Sequence, residues 1–314
     1  MYKNPHEHQL KRGWAHFVLW QLGYYKDSMP SSRPPEGFTY PNPESLVDLA
    51  QPTISWLNHS TFLISAYGKT FLTDPIWNDR CSPVSFLGPK RHHAPPLSIE
   101  QLVHVDFVII SHDHYDHLDH PTIGRLLDHF PQIQWIMPAR VKKWFSKHFP
   151  QISEECLIEL DWWESYQGGD VTFTAVPAQH FSGRGLFNRN ATLWMGCVVD
   201  VRDKRFYFAG DTGYNGSDFK EIGRRFGQMD LSLIPIGSYL PRRFMQSVHV
   251  QPEESVRIHK EVASKLSVGG HFGTFRLSSE PLDRPPYDLF LAMEKEGISC
   301  DRFRVLSPGQ RINW

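Results

Sequence analysis

Long apolar runs are missing from this chain. No stretch approaches the roughly 18 consecutive apolar residues that a membrane-spanning helix needs, which excludes an integral membrane protein of the helical kind. An excess of one charge is missing too: 33 basic residues stand against 34 acidic ones, a formal net charge of −1. That balance supplies no electrostatic case for nucleic-acid binding, and none is expected. Cysteine is scarce, with Cys81, Cys156, Cys197 and Cys300 far apart and no CxxC pair. Scattered cysteines in a chain of 314 residues read as small buried hydrophobes rather than a disulfide frame, which points to a reducing compartment such as the cytoplasm. Internal repeats, low-complexity tracts and dividing linkers are absent as well.

At the N-terminus, Leu10, Trp14, Phe17, Val18 and Tyr25 fall at helical spacing, with Lys11, Arg12 and Lys26 beside them. The pattern predicts a short amphipathic helix inside a lead-in of residues 1–50. Its apolar stripe suits packing on the main domain; the alternative is a peripheral place on a membrane surface. Residues 29–43 are rich in proline, serine and glycine and read as extended. Residues 51–314 form the expected main domain.

That domain alternates short β-rich runs with helical patterns. The runs are 53–57 (TISWL), 61–65 (TFLIS), 69–74 (KTFLTD), 106–111 (DFVIIS), 133–137 (IQWIM), 171–176 (VTFTAV), 205–210 (RFYFAG) and 231–236 (LSLIPI). Several are continuously apolar, as in sheets covered on both faces. Helices are predicted over 121–130, 140–149 and 252–263, the last opening with Pro252, Glu253 and Glu254. The expected class is α/β, with stacked sheets sheathed by helices.

Seventeen histidines are the most informative content. Residues 107–119 read FVIISHDHYDHLD: an apolar strand ends in His112-x-His114-x-Asp116-His117. Three imidazoles and a carboxylate so close together after a rigid strand predict a metal site. The donors suit zinc, while iron and manganese accept the same set. A casual histidine-rich tract predicts no partners elsewhere, yet His180, Asp211 and His271 each follow a strand-like run or a glycine pair. Asp211 sits in the AGDTG turn, where glycines permit close backbone approach. His249 precedes the helix start at Pro252, whose free N–H groups suit a phosphate. His59, in a turn between two strands, reads mainly as structural, and Trp162 and Trp163 read as packing residues.

With these ligands the sequence resembles the metallo-β-lactamase superfamily, which implies a four-layer αβ/βα sandwich. The resemblance implies His112, His114 and His180 as ligands of one zinc, Asp116, His117 and His271 as ligands of a second, and Asp211 as the bridge. Antibiotic-hydrolysing members commonly carry cysteine where this chain has Asp211, and diiron electron-transfer members carry a carboxylate where it has His114. Both branches are disfavoured.

Text that binds no metal narrows the resemblance. Residues 71–76 (FLTDPI), 87–91 (LGPKR), 158–164 (IELDWWE), 208–214 (FAGDTGY), 221–226 (EIGRRF), 234–237 (IPIG), 249–254 (HVQPEE) and 271–275 (HFGTF) look like the N-acylphosphatidylethanolamine-hydrolysing phospholipase D family. The likeness runs over about 56–306, with 2–5 and 30–32 in the lead-in. It implies a zinc-dependent phosphodiesterase that hydrolyses N-acylphosphatidylethanolamine or a related glycerophospholipid through a metal-bridging hydroxide. Asp116 would orient that nucleophile, and His249 would contact the phosphate or protonate the leaving oxygen. A homodimer at a membrane surface is also implied. Residues 181–189 (FSGRGLFNR) depart from the mammalian-type members. The alternative activity is hydrolysis of a lactone or other ester by the same metal centre.

Overall fold

A computed structural model of the chain describes residues 1–6, 33–39, 48, 50–185 and 187–314. The N-terminal stripe from Leu10 to Tyr25 and most of residues 29–43 lie outside the described residues.

Two seven-stranded mixed sheets stack face to face. The first runs β14-β1-β2-β3-β4-β5-β6 and the second β13-β12-β11-β10-β9-β8-β7. Sheet one comprises β1 (Thr53–Asn58), β2 (Thr61–Ala66), β3 (Lys69–Thr73), β4 (Phe107–Ile109), β5 (Gln134–Pro138), β6 (Leu157–Leu160) and β14 (Arg311–Asn313). Sheet two comprises β7 (Ser165–Gly168), β8 (Val171–Val176), β9 (Gly196–Val201), β10 (Lys204–Phe208), β11 (Met229–Pro235), β12 (Ser264–Gly270) and β13 (Phe303–Arg304). In each sheet a set of antiparallel neighbours passes into a parallel set, β3 to β6 in one and β10 to β13 in the other. Parallel neighbours need crossovers, and here helices supply several of them.

Those helices are α1 (His120–His129), α2 (Lys142–His148), α3 (Asp218–Phe226), α4 (Arg242–Met245), α5 (Pro252–Glu261) and α6 (Arg284–Glu296). Ile123 and Leu126 of α1 and Phe145 of α2 pack with Leu72, Val108 and Trp135 on the outer face of sheet one. Ile222 of α3, Val256 and Ile258 of α5 and Leu289 of α6 join the larger core around sheet two. Phe71, Phe107, Phe173 and Phe206 meet between the sheets, with ring centroids 4.9–6.1 Å apart. The result is the expected helix–sheet–sheet–helix sandwich. Strands covered on both faces explain the continuous apolar runs, such as the six buried residues of β1. All eight predicted runs overlap strands, and the three predicted helices match α1, α2 and α5 within a few residues.

All four cysteines are free. Cys81 and Cys197 are buried as expected, whereas Cys300 is exposed, after α6. Among the described residues no helix is long and apolar enough to cross a membrane.

Candidate metal centre

The predicted ligands converge at the ends of strands, where α/β sheets place their ligand crevices. The loop after β4 carries His112, His114, Asp116 and His117, and the ends of β8, β10 and β12 are followed by His180, Asp211 and His271. The loop is fixed locally: Asp119 caps α1 by accepting from the Thr122 N–H at 3.3 Å, and Leu118 N–H donates to the His114 carbonyl at 2.8 Å. Gly210 makes the Asp211 turn feasible. Its φ is +61°, and an added Cβ would fall 2.6 Å from the Ser111 Cβ.

Distances separate the ligand atoms into two groups around one carboxylate. His112 Nε2 and His180 Nε2 lie 2.7 and 3.3 Å from His114 Nδ1. Asp116 Oδ2 lies 3.3 Å from His117 Nε2 and 3.6 Å from His271 Nε2. Asp211 Oδ2 faces both groups, at 3.2 and 3.0 Å from His117 and His271 and at 4.0 and 3.7 Å from His112 and His180. Ligand atoms on one tetrahedral zinc lie about 3.3 Å apart, given Zn–N bonds of about 2.0–2.1 Å. The spacings fall around that value.

Electrostatics give the same reading. His117 Nε2, both ring nitrogens of His271 and Asp211 Oδ1 are buried and make no hydrogen bond. Buried polar atoms are ordinarily paired, so orphans on the cluster side, such as His117 Nε2 and His271 Nε2, fit a cation that pairs them. Burial opposes ionisation of Asp116 and Asp211, yet the surrounding imidazoles hold both carboxyls well below the usual carboxylate range. Burial pushes His112 and His180 well below the ordinary histidine value, keeping them neutral as ligands must be. For His117 and His271 burial is outweighed by Asp211 and Asp116. Without a metal both are raised, His271 to about 9, and protons supply the positive charge that the carboxylates demand.

A second ring of hydrogen bonds aims the imidazoles. His117 Nδ1 donates to Asp74 Oδ2 at 2.6 Å, and His180 Nδ1 donates to the Val248 carbonyl at 2.9 Å. Each bond fixes the tautomer that leaves Nε2 facing inward. His59, expected to be mainly a turn residue, is buried with Nε2 3.0 Å from Asp116 Oδ2. It does both jobs, since its φ of +42° makes the turn between β1 and β2. Asp74, at φ +32°, and His271, at +57°, also hold sparsely populated backbone conformations.

Sequence reasoning missed Asp74 as a site residue, although a carboxylate closing the apolar run KTFLTD was a readable signal. It also missed Asn4. The Asn4 side chain pairs with the His180 peptide in both directions, accepting from its N–H at 3.2 Å and donating to its carbonyl at 2.9 Å. Arg184 was missed too. Its guanidinium donates to the Asp113 and Leu118 carbonyls, both at 2.7 Å, and lies 4.0 Å from the centre of the Tyr115 ring. It thereby ties the segment after His180 to both ends of the ligand loop.

His249 reaches the cluster, with Nδ1 3.9 Å from Asp211 Oδ2. Burial pushes its imidazole down to about 3. The start of α5, where the sequence suggested free N–H groups for a phosphate, carries a local acid–base arrangement of its own. Glu254 accepts from the Gln251 N–H at 3.0 Å in a capping box and pairs with Arg242 at 2.5 Å. Trp162 and Trp163 pack against the core as expected.

Comparison with known proteins agrees with this geometry. The family model described as "Beta-lactamase superfamily domain" matches residues 69–272. The chain is 43% identical over 263 residues to N-acyl-phosphatidylethanolamine-hydrolyzing phospholipase D 1 of Caenorhabditis elegans, covering 82% of this chain and 74% of that one. A mitochondrial enzyme of the same description from Saccharomyces cerevisiae is 33% identical over 252 residues, covering 78% of this chain and 52% of that one. Among solved structures, a metallo hydrolase of Ignicoccus hospitalis superposes with a TM-score of 0.61 at 17% identity, covering 84% and 98% of the two chains. An isothiocyanate hydrolase from Delia radicum gut bacteria gives 0.61 at 19%, covering 83% and 99%. Those two likenesses concern the fold. The matched model and the curated relatives show that the chain belongs to the metallo-β-lactamase superfamily, as a metal-dependent hydrolase similar to the N-acyl-phosphatidylethanolamine-hydrolyzing phospholipases D.

Proposed function

We propose that the chain is a two-zinc phosphodiesterase of phospholipase D type, acting on N-acylphosphatidylethanolamine or a closely related glycerophospholipid. The observation that carries the reading is the pair of ligand groups facing one carboxylate oxygen, in a chain 43% identical to an enzyme named for that substrate. His112, His114 and His180 would hold one ion, Asp116, His117 and His271 the other, with Asp211 between them. Two divalent ions held there would supply Lewis acidity, neutralising phosphodiester charge and lowering the pKa of water.

The residues supply the rest. Asp116 stays ionised and accepts a hydrogen bond from the attacking water, orienting it. Its own position is held by His59. His249, kept neutral by burial, offers an N–H to a phosphoryl oxygen; of the two roles open to it, this suits a neutral imidazole better than protonating the leaving oxygen. Arg242 fixes His249 by donating to its carbonyl at 2.7 Å.

The test is turnover of N-acylphosphatidylethanolamine in mild detergent by the wild type and by Asp211→Asn, with zinc content measured on both. Release of N-acylethanolamine and phosphatidate by the wild type, lost in the variant, is expected. Absence of release from protein holding two metals per chain overturns the lipid reading, and turnover of a lactone by that preparation would assign the other activity.

A further inference from the structure

His180 opens a long irregular segment. Between β8 and β9 run residues 177–195, and among the described ones none belongs to a helix or a named strand. Such segments are ordinarily the mobile parts of a fold, yet a metal ligand must be held to within about 0.5 Å. The Val248 carbonyl orients the His180 ring but does not fix the main chain that carries it. That main chain is held from 176 positions away, by the side chain of Asn4.

Residues 1–4 alternate, with Tyr2 and Asn4 half-buried and Met1 and Lys3 exposed. That is the period-two pattern of an extended chain covered on one face. The covered face meets the irregular segment twice. Tyr2 N–H donates to the Asn190 carbonyl at 3.0 Å, and the Asn190 side-chain amide donates to the Tyr2 carbonyl at 3.3 Å. The Arg140 guanidinium lies 5.1 Å from the centre of the Tyr2 ring. Two residues on, Asn4 Nδ2 donates to the His180 carbonyl at 2.9 Å, while Oδ1 accepts from the His180 N–H at 3.2 Å and from the Trp194 indole N–H at 3.0 Å. Among the described residues no other group pairs with the His180 N–H or C=O. Trp194 is buried, and its N–H is shared with the Ala178 carbonyl at 2.8 Å. One amide thus clamps His180 near the start of the segment to Trp194 near its end. The task needs a donor and an acceptor on one short side chain, which asparagine carries.

We infer that Asn4 is a positioning residue of the metal centre, and that residues 2–4 form a strap that sets His180 for the ion shared with His112 and His114. The strap contributes no ligand. It acts by fixing the main chain from which the imidazole projects, so its loss is felt at one ion rather than at both. His117 and His271, which face Asp116, make no contact with it among the described residues. The inference rests on the two-ion reading above and is independent of the choice of substrate.

The experiment titrates the whole metal-free chain with zinc in competition with a chromophoric chelator, and records the visible spectrum of the cobalt(II)-loaded chain. Wild type is compared with Asn4→Ala, Asn4→Asp and Tyr2→Ala. Asn4→Ala is expected to hold one of the two ions about 10–100-fold more weakly, the usual cost of removing a group that orients a ligand, and the other ion as the wild type does. Asn4→Asp should lose as much despite its matching shape, because an oxygen would face the His180 carbonyl. Tyr2→Ala keeps Asn4 and loosens only its seating, so it should weaken the same ion by less; it carries the test if the Asn4 variants fail to fold. At saturating cobalt the absorption bands of the Asn4 variants should shift, since a displaced imidazole alters the ligand field. Their rise in melting temperature on zinc loading should shrink. A merely structural Asn4 would lower the metal-free and zinc-loaded melting temperatures equally and leave affinities and spectrum unchanged, which overturns the inference. Equal weakening of both ions overturns it too, as does a wild type that takes up no zinc, which also removes the two-ion reading. A wild type that holds two ions but hydrolyses no phospholipid sinks the substrate reading alone, and the affinities still decide the role of Asn4.

Discussion

His249 touches the cluster without belonging to either of the two proposed ligand sets, so it is the residue at which metal binding and bond breaking can be separated. Its Nδ1 is buried, makes no hydrogen bond and lies 3.9 Å from the bridging carboxylate. Replacing it with alanine removes the N–H proposed to meet the phosphoryl group and leaves the seven proposed ligands in place. His249→Ala is therefore expected to lower kcat by about 10²–10³, the usual worth of one such donor, with two zinc ions retained by elemental analysis. Loss of a zinc ion along with activity would instead make His249 a ligand. The residues that sequence reasoning missed share a physical character. His112, His114, Asp116 and His117 announce themselves by mutual spacing, because one loop delivers all four. Asp74, Asn4 and Arg184 act through tertiary contacts with residues 43, 176 and at least 66 positions away; only Asp74, closing an apolar run, left a local sign of itself, and even that does not name its partner.

At the level of elements, burial helped but did not decide legibility, since β9 (GCVVDV) is almost wholly buried and was not among the predicted runs. Strands covered on both faces, such as β1, β8 and β11, appear as apolar runs. β7 has exposed residues on a sheet edge and reads as polar text, and β12 (SKLSVGG) reads as a loop because of its serines and glycines. Those glycines answer to packing: a Cβ on Gly270 would lie 2.9 Å from the Phe62 ring. Helix α3 makes the same demand at Gly223, where a Cβ would stand 2.1 Å from the carbonyl oxygen of Glu261 at the end of α5. Backbone cannot yield as a flexible side chain does, so α3 and α5 must move apart. Gly223→Ala, although it favours helix by propensity, is expected to destabilise the fold by about 1–3 kcal/mol through overpacking. Urea unfolding would measure it, with a lowered midpoint and an unchanged slope. A midpoint at or above that of the wild type would show that the two helices separate without cost.

Over the whole molecule the proposed metal centre joins the two halves of the sandwich. Sheet one supplies His112, His114, Asp116 and His117 from the loop after β4, and sheet two supplies His180, Asp211 and His271 from three strand ends. Each proposed ion would therefore bridge the sheets, and would bind the folded chain far better than an unfolded one in which the ligands are scattered. Metal binding selective for the folded state stabilises it by RT ln(1 + [M]/Kd), about 2.7 kcal/mol at a hundredfold excess over Kd. Removing the ions also leaves two buried carboxylates facing raised, protonated imidazoles, a weaker arrangement than direct ligation. The melting temperature is accordingly expected to fall on chelation by several degrees and to rise again with added zinc, in proportion to the logarithm of its free concentration. Because His117 and His271 must shed protons to bind metal, the rise should shrink as pH is lowered from 8 to about 6. Calorimetry on metal-free and reloaded protein checks both dependences. A melting temperature indifferent to zinc, in protein proven to take it up, would mean that the two sheets hold this cluster together without help from the ions.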